Sequence, residues 1–135
     1  DAERRRRLMD AVCGLDDWCK ALMSEAVVEQ RRHADIAREN GVSVVMLDVS
    51  LKRCTERLYR NLLMAYATGP GKERRAEVAA MAVRLPDEQR AVFVPWWNDN
   101  KSVRRIASSA GLTSEEARRT LARAKATMWH LMQEP

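Results

Sequence analysis

Four residues near the C-terminal end of the chain have side chains that can read the edge of a base pair. They are Ser114, Glu115, Arg118 and Arg119. An arginine can donate two parallel hydrogen bonds to guanine, a glutamate can accept one from cytosine, and a serine suits either. At spacings of three and four residues these side chains share one face of a helix. Around them stand Lys101, Arg104, Arg105, Arg123 and Lys125, cations better suited to phosphates, which fix position without reading sequence. The chemistry on offer is recognition rather than bond-breaking. There is no phosphate loop, no Ser/His/Asp or Cys/His pattern and no paired-carboxylate motif, and His33 and His130 are far apart in sequence. No catalytic role and no cofactor is therefore expected.

Such residues need a scaffold, and the local sequence supplies one. Thr113-Ser114-Glu115-Glu116 has the spacing of a capping box, in which the Thr113 hydroxyl and the Glu116 carboxylate satisfy each other's free backbone donors. Ser102 can cap a preceding helix. Small residues stand where two helices must cross closely: Ala107, then Gly111 for a left-handed turn, then Ala117. Ile106, Leu112, Leu121, Ala124 and Met128 are expected to point inwards. The pattern is a short helix, a tight turn and a longer helix with a charged outer face. Two packed amphipathic helices with a merely solvated face would look the same.

The whole chain suits an all-α fold. Ala, Arg, Leu, Met and Glu dominate its 135 residues, of which 46% are hydrophobic and 32% charged. The net charge of +5 is uneven. Residues 1–71 hold 12 Lys+Arg against 11 Asp+Glu, and residues 72–135 hold 12 against 8. The basic excess thus travels with Arg118 and Arg119, pointing to an acidic partner. Apolar residues at three- and four-residue steps predict a helix from the N-terminus to about residue 30, with a break near Gly14. A short helix ends at Asn40-Gly41, and a third starts after Ser43. "TGPGK" at 68–72 is the clearest linker. Beyond it a helix restarts at Pro86, Pro95 is expected to end or kink it, and "NDNK" is expected to be a loop.

No apolar run is long enough to span a bilayer. Arg4 to Arg7 read as a solvated helix start or, alternatively, a phosphate-binding arm. Cys13, Cys19 and Cys54 lack metal-site spacing, so no metal is expected, and buried reduced thiols in a cytoplasmic protein are the expectation. The absence of an initiator Met suggests that some native N-terminal sequence is not included.

"LPDEQRAVF" followed by "IASSAGLTSEEARRTLARAKATM" resembles the region-four DNA-binding domain of bacterial sigma factors, over residues 85–129. Leu85, Pro86, Arg90, Ile106, Ala107, Gly111, Leu112, Thr113, Leu121, Arg123, Ala124 and Lys125 carry the likeness. The resemblance implies a helix-turn-helix that reads promoter DNA and docks on the RNA polymerase flap, with Glu115, Arg118 and Arg119 facing bases. Pro95-Trp96-Trp97 departs from the family's regular helix, and Glu116 replaces a small or basic residue. The sigma region that melts promoters is not recognisable, so a complete sigma factor is not implied. Phage late-gene antiterminators and related phage regulators are similar in module and size.

The pattern also occurs twice. Sliding the chain by 70 residues aligns 11 identities over positions 3–59, where about four or five are expected by chance. Ile36-Ala37 meets Ile106-Ala107, Gly41 meets Gly111, Leu51 meets Leu121 and Arg53 meets Arg123. A degenerate copy is thus expected at 15–59. Where the second copy has Ser114, Glu115, Arg118 and Arg119, the first has Val44, Val45, Asp48 and Val49, which suit protein rather than phosphate.

The expected architecture is two tandem helix-turn-helix lobes, 1–67 and 73–135, joined at 68–72. The expected function is transcription regulation in a bacterial or phage-infected cell, on double-stranded promoter DNA together with RNA polymerase. The alternative is a protein-interaction module that appropriates polymerase or a sigma factor without reading DNA, through Val44, Val45, Val49, Trp96 and Trp97. The valines would then dock on the second lobe, on a second copy as a homodimer, or on polymerase; or they close the core between lobes.

Overall fold

Side-chain caps and left-handed turns divide the chain into its helices. The computed structural model describes residues 2–67, 70 and 72–134. Among the described residues there are eight α-helices and no strand: α1 (Ala2–Cys13), α2 (Asp17–Met23), α3 (His33–Glu39), α4 (Val44–Tyr66), α5 (Lys72–Met81), α6 (Asp87–Asp99), α7 (Val103–Ala110) and α8 (Ser114–Gln133). The fold is all-α. No helix of the described residues is long and apolar enough to cross a membrane. The chain divides into two units, Asp1–Ala65 and Tyr66–Pro135. Of the expected linker, Thr68, Gly69 and Gly71 lie outside the described residues.

In the first unit the break at Gly14 follows from its neighbours. Asn61 Nδ2 donates to the Ala11 carbonyl, and a Cβ on Gly14 would lie 3.0 Å from that nitrogen. Asp16 then caps α2 by accepting from the Cys19 amide at 2.8 Å. After α2 the helix widens into a π-turn at Ser24–Val28 and stops at Gln30, whose φ is 52°. Arg31 bridges Glu25 and Glu39, and its guanidinium holds the Glu39 carboxyl below the usual range. The core gathers Leu15, Cys19, Leu22, Ile36, Ala37, Leu47 and Cys54. On α4, Leu47, Leu51, Cys54 and Leu58 follow steps of four, three and four, the period of one inward face. Each fully buried Leu or Ile contributes roughly 1.5–3 kcal/mol.

Two expectations about the cysteines are corrected here. Cys19 and Cys54 are not separate thiols: they form a disulfide between α2 and α4, with Cα atoms 5.3 Å apart, inside the range that a disulfide spans. Cys13 is exposed rather than buried.

In the second unit, Arg90 fastens the start of α6. Its guanidinium donates to the carbonyls of Val83 (3.1 Å) and Leu85 (3.4 Å) and to Asp87 (2.6 Å). Pro95 does not end α6, which continues to Asp99. Val92, Phe93, Trp96 and Trp97 on this helix are all buried, and Phe93 stacks on Trp97 with centroids 6.0 Å apart. That burial outweighs the roughly 3 kcal/mol that an interior proline costs. The helix ends instead at Asn100, a left-handed cap with φ of 50°. On α8, Ala117, Leu121, Ala124 and Met128 are buried at steps of four, three and four.

Internally the two units run in parallel at a spacing of 70. Helices begin at Ala2 and Lys72, Asp17 and Asp87, His33 and Val103, Val44 and Ser114. The left-handed residues among those described pair likewise, Gln30 with Asn100 and Gly41 with Gly111. At both glycines a Cβ would meet nothing within 4 Å, so substitution costs backbone strain alone. Gly41→Ala and Gly111→Ala are each expected to lower stability by about 1–2 kcal/mol, read as a shift of the urea midpoint with unchanged slope.

Candidate nucleic-acid interface

The site is built on α7, the Gly111 turn and α8. Ser102 caps α7 by accepting from the Arg105 amide at 3.3 Å. Ile106 and Ala107 turn inwards at 2% and 3% exposure, leaving Arg104 and Arg105 outside. At Gly111, φ of 70° lets the Leu112 amide donate back to the Ala107 carbonyl at 2.9 Å. The chain then enters α8 through the capping box. The Thr113 hydroxyl accepts from the Glu116 amide at 3.1 Å, and the Thr113 amide donates to Glu116 Oε1 at 3.0 Å. These bonds hold the Glu116 carboxyl below its ordinary value of 4.5. Ala117, with no exposed surface, faces the first helix.

This frame leaves Ser114, Glu115, Arg118 and Arg119 together on the exposed start of α8. Arg119 pairs with Glu115 at 2.6 Å, but both side chains are more than two-thirds exposed. Such an i,i+4 pair is worth about 0.3–0.5 kcal/mol, against about 1–3 kcal/mol for a bidentate contact to guanine. Arg119 can therefore exchange its partner for a base edge at small cost.

The flanking cations do not all stand alike. Arg104, Arg105 and Arg123 are exposed and Lys101 is half-buried. Lys125 is also half-buried, with its ammonium 4.7 Å from the Trp96 ring centroid, a cation–π contact that holds it against the core. Arg123 reaches towards the Thr120 hydroxyl at 3.4 Å. It lines an open cleft of about 480 Å³ with Glu88, Val92, Leu112, Glu116 and Arg119. Sequence periodicity gave no sign of this cleft, because it depends on where α6 lies beside α8.

Trp96 and Trp97 were expected on an interaction surface and are instead core residues, at 3% and 1% exposure. Arg75 on α5 explains much of this: it donates to the Trp97 carbonyl, accepts from the indole N–H at 3.2 Å through its own carbonyl, and lies over the ring. In the first unit, by contrast, Val44, Val45 and Val49 stand outward at 43%, 73% and 45% exposure, with Met46 beside them. Ser43 caps this helix by accepting from the Met46 amide, and Asp48 pairs with His33 at 3.0 Å.

Comparison with family models, curated proteins and solved structures returns no match.

Glu116 is the titrating member of the capping box. Because its folded pKa is lowered, its stabilising contribution is present above the ordinary glutamate value and is lost as pH falls through the lowered one. An NMR titration of the Glu116 carboxyl should give a midpoint below 4.5, with the Thr113 amide shifting in step. Thr113→Ala should cost about 1 kcal/mol in thermal or urea unfolding, since an alanine cannot cap.

Proposed function

We infer that the chain is a DNA-binding transcription regulator of sigma region-four type, in which the second unit reads promoter DNA beside RNA polymerase. The observation that carries this reading is the α7–Gly111–α8 arrangement. Its small residues and capping box set an exposed Ser114/Glu115/Arg118/Arg119 face at the start of the longer helix. In a helix-turn-helix this is the part that enters the major groove, while the first helix lies along the backbone within reach of phosphates. Arg104 and Arg105 on α7 suit that second task. The likeness of 85–129 to the sigma domain gives the promoter and polymerase their place in the proposal. The parallel spacing of helix starts and left-handed turns supports a tandem arrangement of two helix-turn-helix lobes.

A second reading follows from the exposed valines. In it the chain holds polymerase or a sigma factor through Val44, Val45 and Val49 and reads no DNA. The two make different demands. If the second unit reads DNA, fragments retained by the protein will share a sequence, and Arg118→Ala with Arg119→Ala will weaken binding to it by about tenfold or more in a mobility-shift assay. Arg104→Ala will weaken all duplexes alike and lower the salt slope by about one. Wild-type affinity in the double variant would remove the site assignment. Polymerase capture that survives this double variant but is lost in Val45→Asp would favour the second reading.

A further inference from the structure

Within the first unit the disulfide between Cys19 and Cys54 has two features that a simple staple does not need. Both residues are about 1% exposed, one on α2 and one on α4. Seventy residues on, the matching positions hold Gln89 on α6 and Ala124 on α8, and those two helices pack with no covalent link between them. The same helix order and turns are reached in the second unit without such a bond. The second feature distinguishes the sulfurs. Arg57 Nη1 lies 3.9 Å from Cys19 Sγ and is steadied by Asp16 Oδ2 at 2.8 Å. The Arg57 side chain is 58% exposed. It therefore places a solvent-reaching cation beside the Cys19 sulfur, where an incoming anionic thiol would arrive. Although Asp16 offsets part of its charge, a guanidinium beside a sulfur favours the thiolate and attracts small anionic thiols.

We propose that Cys19 is a thiol-exchange site for small thiols and disulfides of the glutathione class, with Cys54 as its resolving partner. In the oxidising direction the Cys19 thiolate attacks one sulfur of glutathione disulfide and one glutathione thiolate leaves. Cys54, its proton lost to water, then attacks Cys19 Sγ and expels the second glutathione thiolate. The two protein thiols give up two electrons and two protons, and the disulfide oxidant takes them up as two glutathione thiols. Reduction follows the same path backwards, with the glutathione thiolate entering at Cys19 beside Arg57. The two states differ in how firmly α2 holds α4, the helix whose first two turns bear the exposed valines. The proposal does not depend on DNA binding.

The test uses the full chain carrying Cys13→Ser, so that the exposed third thiol cannot interfere. Folded protein is equilibrated with glutathione and glutathione disulfide at graded ratios, acid-quenched, alkylated and weighed by mass spectrometry. The bond is expected to open and close reversibly while the helical circular dichroism persists in both states. Cys54→Ala, which places in α4 the residue that α8 has at this point, should accumulate one glutathione on Cys19. Cys19→Ser should take up at least about tenfold less on Cys54. Arg57→Gln should slow exchange several-fold with unchanged circular dichroism. A bond that opens only as fast as the whole chain unfolds would overturn the proposal. So would loss of helix on reduction, or equal glutathione uptake at the two cysteines.

Discussion

One backbone hydrogen bond, from the Leu112 amide to the Ala107 carbonyl, governs the geometry of the second unit's surface. It can form because Gly111 takes a left-handed conformation that a side chain would resist. With the chain reversed so tightly, α7 and α8 must approach closely, and Ala107 and Ala117 are small enough to let them. Ile106, Leu121 and Ala124 then fill the space below. Everything charged on the first turns of α8 is forced outwards as a result. The arginines are exposed because the other side of the helix is fully used, and the capping box fixes where the helix starts and so which residues form that face.

The first unit obeys the same constraint with other side chains. The Val42 amide donates to the Ala37 carbonyl at 3.0 Å, Gly41 has φ of 68°, and Leu47 is fully buried where the other unit has Ala117. The backbone plan is kept while the outward residues change from Ser, Glu and Arg to Val and Asp. Selection on the outer face is separable from selection on the turn, because the turn depends on backbone geometry and inward volume alone. Matching helices thus expose an apolar first turn in one unit and a charged first turn in the other.

How far the sequence foretold this can be judged residue by residue. Caps and turns were legible, because Ser43, Thr113, Asn40-Gly41 and Gly111 act through their own backbone neighbourhood, and so were the inward steps of α8. What failed depended on distant partners. Trp96 and Trp97 follow a proline and a short apolar run, and nothing local says that Arg75 clamps one of them from α5. Pro95 has a strong local effect, yet with four buried side chains on α6 the helix does not end there. The disulfide joins residues 35 apart with no motif between them, and only the packing of α2 against α4 brings the sulfurs together. Of the candidate site, the shared exposed face of Ser114, Glu115, Arg118 and Arg119 was legible from helical spacing. The cation–π contact of Lys125 and the cleft beside α6 were not, since both need the third helix in place.

The left-handed pair Gln30 and Asn100 bears on the order in which parts of the molecule come apart. Asparagine is among the few side chains that settle readily in this conformation, whereas glutamine has no such aptitude. The turn after α2 therefore holds more stored strain than its counterpart after α6, and it follows a π-turn whose hydrogen bonds are already wider than those of an α-helix. Local opening begins where strain is released for little lost burial, and Val27, Val28 and Glu29 beside this turn are exposed. Backbone amides between α2 and α3 should accordingly trade their hydrogens for deuterium sooner than those between α6 and α7. Cys19, eleven residues before Gln30, is tied covalently to α4, which limits how far such fraying can run back along α2.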